Sequence, residues 1–240
     1  MATALELLQE ILDRLCVEKQ ISYIDVGDDT QRQMLALLNE EGREQAASFD
    51  WQQLIMESNA EASDDDNKIS DQGLIEERCP GYKRICNNTI YLDGRVWPLV
   101  GPLSISGRAY TKAGGMSFVD GYYIQNGHLY LTGPTNSGQN IRITYVSKYW
   151  ATDAEGNGLE KMSVDTDRPL IDDRLLVLGV VWRWLSRNGL PYQQEWLNYN
   201  NCLIQNRASD RTHDVLSASD SNRKYSPLRS LIGGVARPWA

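Results

Sequence analysis

Few side chains in this sequence stand at spacings that perform chemistry. The cysteines are Cys16, Cys79, Cys86 and Cys202, and the histidines are His128 and His213. No Cys-x-x-Cys occurs, and the interval from Cys79 to Cys86 does not suit a zinc knuckle, so no metal centre is expected. Cys16 and Cys202 fall on apolar faces of expected helices, where a free thiol packs as a small hydrophobe. The acidic run Glu61-Ala-Ser-Asp-Asp-Asp-Asn67 lacks the alternating carboxylates, the glycine and the trailing glutamate of an EF-hand loop, and reads as a solvated linker. Glu76-Glu77 and Asp172-Asp173 could act as acid/base pairs, but adjacent carboxylates carry little weight in a chain with 32 Asp and Glu. Gly114-Gly115-Met116-Ser117 lacks the strand-to-helix setting of a nucleophile elbow. Neither a P-loop nor a G-x-G-x-x-G is present. His128 shares a strand face with Tyr130, a setting for packing or hydrogen bonding, and His213 follows Arg211 on a polar helix end. The expectation is a protein that is not an enzyme and needs no cofactor. A hydrolase whose site is assembled from distant residues stays open, because spacing cannot reveal one.

Aromatic residues offer a second kind of chemistry. Tyr91, Trp97, Tyr110, Tyr122, Tyr123, Tyr130, Tyr145, Tyr149 and Trp150 crowd one part of the chain. They could line a sugar-binding groove, which would make the protein a carbohydrate-binding module on a helical stalk. They could equally form cross-strand packing pairs or a protein interface.

The elements that would position these groups are legible from periodicity. Thr3 and Glu6 have capping-box spacing, and Leu5, Leu8, Leu12 and Leu15 then recur as in an amphipathic helix over Thr3–Glu18. Asp28, Asp29 and Thr30 open a second helix, with Met34, Leu35, Leu38 and Ala46 toward a core. Asp50 is placed to cap a short third helix bearing Trp51, Leu54 and Ile55. From Ile69 to Trp150 short alternating stretches and the turn dipeptides Asp93-Gly94, Asp120-Gly121 and Asn126-Gly127 point to antiparallel strands. The clearest hairpin is Tyr122–Leu131, and Asn140–Val146 returns as a further strand. Ala151–Arg168 is polar and reads as a connector, after which Asp167 or Asp172 caps a helix. Leu175–Arg207 reads as two helices broken at Asn188-Gly189-Leu190-Pro191. In the first of them Leu175, Leu178, Val181, Trp182 and Leu185 share a face, while Val177, Val180 and Trp184 lie off it. Such a helix must be covered on more than one side, by its own domain or by another subunit.

Length and charge set bounds. The 240 residues suffice for one sizeable core with a satellite, and a net charge of −8 disfavours nucleic-acid affinity. Carboxylates dominate up to Pro80, whereas the charges from Ser221 to Ala240 are Arg223, Lys224, Arg229 and Arg237 alone. A basic, apolar tail broken by Pro227, Gly233, Gly234 and Pro238 cannot bury itself: it is either disordered or folds onto a partner, and its charge points to an acidic one. No signal peptide and no membrane span are visible, so reduced thiols and an unglycosylated Asn87-Asn88-Thr89 are expected.

Taken in order, these segments resemble the head-to-tail adaptor proteins of short-tailed phages, the group that includes tail tubular protein A and related connectors. The likeness lies in Asp28-Asp29-Thr30 followed by Phe49-Asp50-Trp51-Gln-Gln-Leu54, and in Val96-Trp97-Pro98-Leu99. It continues through the hairpin Gly121–Leu131, a Gly-Pro loop and Ile141–Trp150, and ends with Leu178-Gly-Val-Val-Trp-Arg-Trp184 and Gly189-Leu-Pro-Tyr192. The resemblance implies an α+β fold: a helical bundle (residues 1–62 and 151–218) with an inserted small antiparallel β-domain (63–150) and an extended C-terminal docking arm (219–240). It further implies a ring, commonly of twelve copies, that joins the portal protein to a tail or nozzle protein in the neck of the virion, assembled in the host cytoplasm, with no membrane involved. DNA would pass through the channel without sequence-specific binding. The arm would bind the portal through Leu228, Leu231, Ile232 and Trp239 as apolar anchors and Arg223, Arg229 and Arg237 as rim charges.

Overall fold

The structure is a computed structural model and describes residues 2–17, 29–61, 75–112, 121–132 and 139–210. The first helix, α1 (Ala4–Leu15), begins with the expected capping box: the Thr3 hydroxyl accepts from the Glu6 amide and the Glu6 carboxylate accepts from the Thr3 amide. It buries Ala4, Leu7, Leu8, Ile11 and Leu12. It stops at Cys16, whose φ of 55° closes the helix in the left-handed conformation. Cys16 is therefore exposed rather than packed on an apolar face. Helix α2 (Asp29–Ser48) buries Met34, Leu38 and Ala46 as its pattern requires, with Leu35 only partly covered.

After α2 the chain departs from the sequence reading. The third helix is a single 3-10 turn, Gln52–Leu54, and Asp50 does not cap it. Asp50 is instead drawn to the Arg84 guanidinium and to Lys83 Nζ at 3.6 Å. Ile55 does not close a helix; it opens strand β1 (Ile55–Glu61). The strand was hidden because only Ala60 along it is buried, so it shows no alternation.

The β-elements follow: α3 (Ile75–Arg78), β2 (Tyr82–Ile85), β3 (Tyr91–Leu92), α4 (Ile105–Lys112), β4 (Gly121–Gln125), β5 (His128–Thr132) and β6 (Asn140–Ser147). Strand β6 is the spine, pairing antiparallel with β1, β2 and β3. Strands β4 and β5 form the hairpin read from sequence, Tyr122 opposite Leu131 and Tyr123 opposite Tyr130. Residues Ile141, Ile143 and Tyr145 of β6 enter a core with Ile85, Ile90, Leu92, Leu99, Tyr122, Leu129 and Leu131. Val146, one residue further, lies in the helical core instead, so β6 serves both.

The segment read as a connector is more ordered than its polarity indicates. It holds a small antiparallel sheet of β7 (Ala151–Thr152), β8 (Gly158–Leu159) and β9 (Arg168–Pro169). Two-residue strands carry no periodic signal. Trp150 anchors this segment, fully buried, its indole N–H donating to the Glu160 carbonyl at 2.8 Å. Asp167 also serves here, accepting from the Ser163 and Val164 amides, which leaves the helix cap to Asp172.

Helix α5 (Asp173–Arg187) is buried on every side from Leu175 to Val181. Its cover comes from within the chain: α1, α2 and helix α6 (Gln193–Asp210) share one apolar core with it. Beyond Val181 the burial weakens, and Trp182, Trp184 and Leu185 are half-buried. The break falls where expected. Asn188 ends α5, Gly189 takes a φ of 67° that a residue with Cβ adopts at a cost, and α6 starts two residues past Pro191.

Candidate interaction surface

Helix α6 is fastened to the molecule along its inner side. At its middle stands Tyr199, buried, whose hydroxyl donates to Glu41 Oε1 at 2.8 Å. Glu41 itself is wholly buried and answers three donors from three helices: Tyr199, the Gln45 amide at 2.8 Å and Arg183 Nε at 2.8 Å. Gln45 also donates to the Tyr199 hydroxyl at 2.6 Å. Arg183 reaches on to Glu44, and its guanidinium lies 5.1 Å over the Trp182 ring. A buried carboxylate is tolerable only when paired and hydrogen-bonded in this way. Burial and the Glu41 charge both hold the Tyr199 phenol well above the ordinary tyrosine range, so it stays a donor.

The far end of α6 is tied down separately. Asn206 donates to Asp172 Oδ1 at 3.3 Å, and Arg207 donates to the Ser48 hydroxyl at 2.9 Å while stacking over Phe49. Asp210 accepts from the Gln52 amide at 2.9 Å. Every charged residue of α6, namely Glu195, Arg207 and Asp210, is thus turned partly inward.

The outer side is the reverse. None of the residues that α6 exposes carries a charge: they are Gln, Asn, Ala and Ser together with Trp196, Leu197 and Ile204. Trp196 is 45% exposed, Leu197 49% and Ile204 66%, and Leu190 in the preceding turn is 44% exposed. An ordinary solvent face looks like that of α1, which exposes Glu6, Glu10, Asp13 and Arg14, or that of α2, which exposes Asp29, Arg32, Glu40, Arg43 and Glu44. Depletion of charge together with an exposed Trp is the composition of an interface centre. The signal was present in the sequence, since no charged residue lies between Glu195 and Arg207, but only the structure separates the inner from the outer face.

From the end of β3 to the first residue of α4 the chain exposes further apolar side chains: Val96, Trp97, Val100 and Ile105 are each more than half exposed. Tyr122, Tyr145 and Trp150 are buried in cores, and Tyr123 stacks on Tyr130 at 4.9 Å as a cross-strand pair. Tyr110 lies outside the residues whose side chains are described.

Several of the groups weighed for catalysis are engaged structurally. Asp172 caps α5, Asp173 accepts from the Ala2 amide, and Glu76 pairs with Lys148 at 3.1 Å. His128 sits half-buried beside Tyr130. Cys79 is buried, and the burial pushes its thiol up to about 11. No group of three or more potential ligands poised for a metal ion occurs among the described residues, and no helix among them is long and apolar enough to cross a membrane. The arm residues Arg223, Leu228, Arg229, Leu231, Ile232, Arg237 and Trp239, and His213, lie outside the described residues. The chain matches no protein-family model, and no curated protein matches it.

Proposed function

We propose that this protein is a structural head-to-tail adaptor of a phage virion, a ring-forming, non-enzymatic component that joins portal to tail around the DNA channel. Under this reading the helices form a bundle (1–62 and 151–218) that carries an inserted β-domain (63–150), and residues 219–240 are the arm that docks on the portal through Leu228, Leu231, Ile232 and Trp239, rimmed by Arg223, Arg229 and Arg237. The protein belongs in the neck of the virion, with portal, a tail or nozzle protein and further copies of itself as partners. The observation that carries the reading is the uncharged outer face of α6, a rigidly held helix that offers Trp196, Leu197 and Ile204 to a neighbour. The resemblance in segment order supplies the identity of that neighbourhood. A ring arises when one heterologous contact repeats around an axis and closes. A net charge of −8 suits a channel through which DNA slides without sticking.

Electron microscopy of the purified protein mixed with portal tests the proposal. An added ring of density on the portal, in fixed stoichiometry, is the expected result. A protein that stays a single chain and leaves portal particles unchanged ends it.

A further inference from the structure

We infer that the outer face of α6 is where one copy of this chain meets the next, and that it seats on the exposed Val96–Ile105 stretch of the neighbour. The inference rests on the adaptor reading above and names the contact that closes the ring. Its physical basis is charge. A chain with a formal charge of −8 repels its own copies, so a contact between copies has to be free of carboxylates. Among the described helices α4, α5 and α6 expose no carboxylate, whereas α1 presents Glu6, Glu10 and Asp13, and α2 presents Glu40 and Glu44. Of those three α5 exposes Arg174 and Arg187, and α6 is the long helix that exposes Trp196, Leu197 and Ile204 without any charge. A basic partner would be met by carboxylates and DNA by Lys and Arg. A face of amides and apolar groups fits a surface of its own kind.

The same chain supplies such a surface. Val96 is 72% exposed, Trp97 58% and Ile105 78%, on a stretch remote in sequence from α6. Two unlike apolar surfaces on one chain are what a head-to-tail contact requires, because each copy then gives one and receives the other. Contact of α6 with α6 would be self-complementary and would stop at a dimer.

The test uses two full-length variants, each altered at exposed positions. One carries Leu197→Glu and Ile204→Glu, the other Trp97→Glu and Ile105→Glu. Ala36→Glu on the exposed side of α2 is the control, and thermal melts show that all three fold. Particle mass in solution, with and without portal, is the readout. Each double variant should stay a single chain, with the concentration for half-assembly raised about tenfold or more, while the control assembles like the wild type. Mixed together, the two variants should form two-chain particles and nothing larger, because one intact contact remains between them. If the wild type forms rings and the α6 variant does too, the inference fails while the adaptor reading stands. Intact rings of the α6 variant that no longer hold portal would give this face to the portal and overturn the inference. A wild type that never assembles, alone or with portal, removes the adaptor reading and this contact with it.

Discussion

Glu41 is the residue on which the presentation of α6 depends. It lies on α2, yet its partners Arg183 and Tyr199 lie on α5 and α6, so one carboxylate joins three helices. Removing it takes away the acceptor of the Tyr199 phenol and the buried one of the two carboxylates that hydrogen-bond Arg183. Glu41→Ala should cost about 3–5 kcal/mol in chemical denaturation, the penalty for breaking a buried pair from one side. Glu41→Gln, which keeps an acceptor for Tyr199, should cost clearly less; equal losses would mean that the carboxylate charge, and not the acceptor, holds the helices. The buried acids of the β-core set a second, pH-dependent term. Burial moves Cys79 from 9.0 to about 11, and burial moves Tyr122 and Tyr145 from 10.0 to about 12. In the unfolded chain these groups lose their protons at the lower values. Between the two values the native state therefore binds more protons, and stability falls as pH rises. The melting temperature should be insensitive to these groups below pH 9 and fall from about pH 9 to 12. Tyr122→Phe should remove part of the fall above pH 10 without loss at neutral pH, because its buried hydroxyl has no hydrogen-bond partner among the described residues. An unchanged alkaline profile would contradict this.

At the scale of elements, close approach to α2 and α5 is set by two small residues. A Cβ on Gly179 of α5 would stand 2.5 Å from the carboxyl carbon of Glu41, and one on Gly42 of α2 would stand 2.4 Å from the Trp150 ring. Neither neighbour can yield, since Glu41 is held by three donors and Trp150 is fully buried. Gly179→Ala should therefore destabilise by about 1–3 kcal/mol despite alanine's higher helix propensity. A gain in melting temperature would show that α2 and α5 have room to part. These contacts are invisible to periodicity, as are the elements that periodicity missed. The long helices and the Tyr122–Leu131 hairpin were legible because each shows a sustained buried face or a turn dipeptide. Strand β1 was not, because it is an edge strand bearing Glu57 and Glu61 and burying little beyond Ala60. Strands β7–β9 are too short to alternate, and Asp50 went to Arg84, a residue distant in sequence, rather than to its local cap. Of the candidate surface, the apolar content of α6 was readable, but its sidedness depended on Tyr199, Asn206 and Arg207 finding partners on other elements.

For the whole molecule the question is where its remaining apolar surface goes. The helical core and the β-core both close around residues of this chain, Val146 of β6 lying in the helical one. Among the described residues, Trp196, Leu197 and Ile204 of α6 and Val96, Trp97, Val100 and Ile105 at and before the start of α4 are left exposed, as are Ile55, Met56, Val164 and Leu190 elsewhere. Scattered exposed apolar residues are ordinary, but a long helix, about 27 Å from end to end, with no charge on its outer face is not. In a chain this acidic, that absence allows copies to approach one another. The measurement that bears most directly on this is hydroxyl-radical footprinting of side chains in assembled particles against single chains. Oxidation of Trp196, Leu197 and Ile204 should drop several-fold on assembly, while the exposed side of α1 reacts as before. Equal oxidation of Trp196 and Ile204 in both forms would contradict the account.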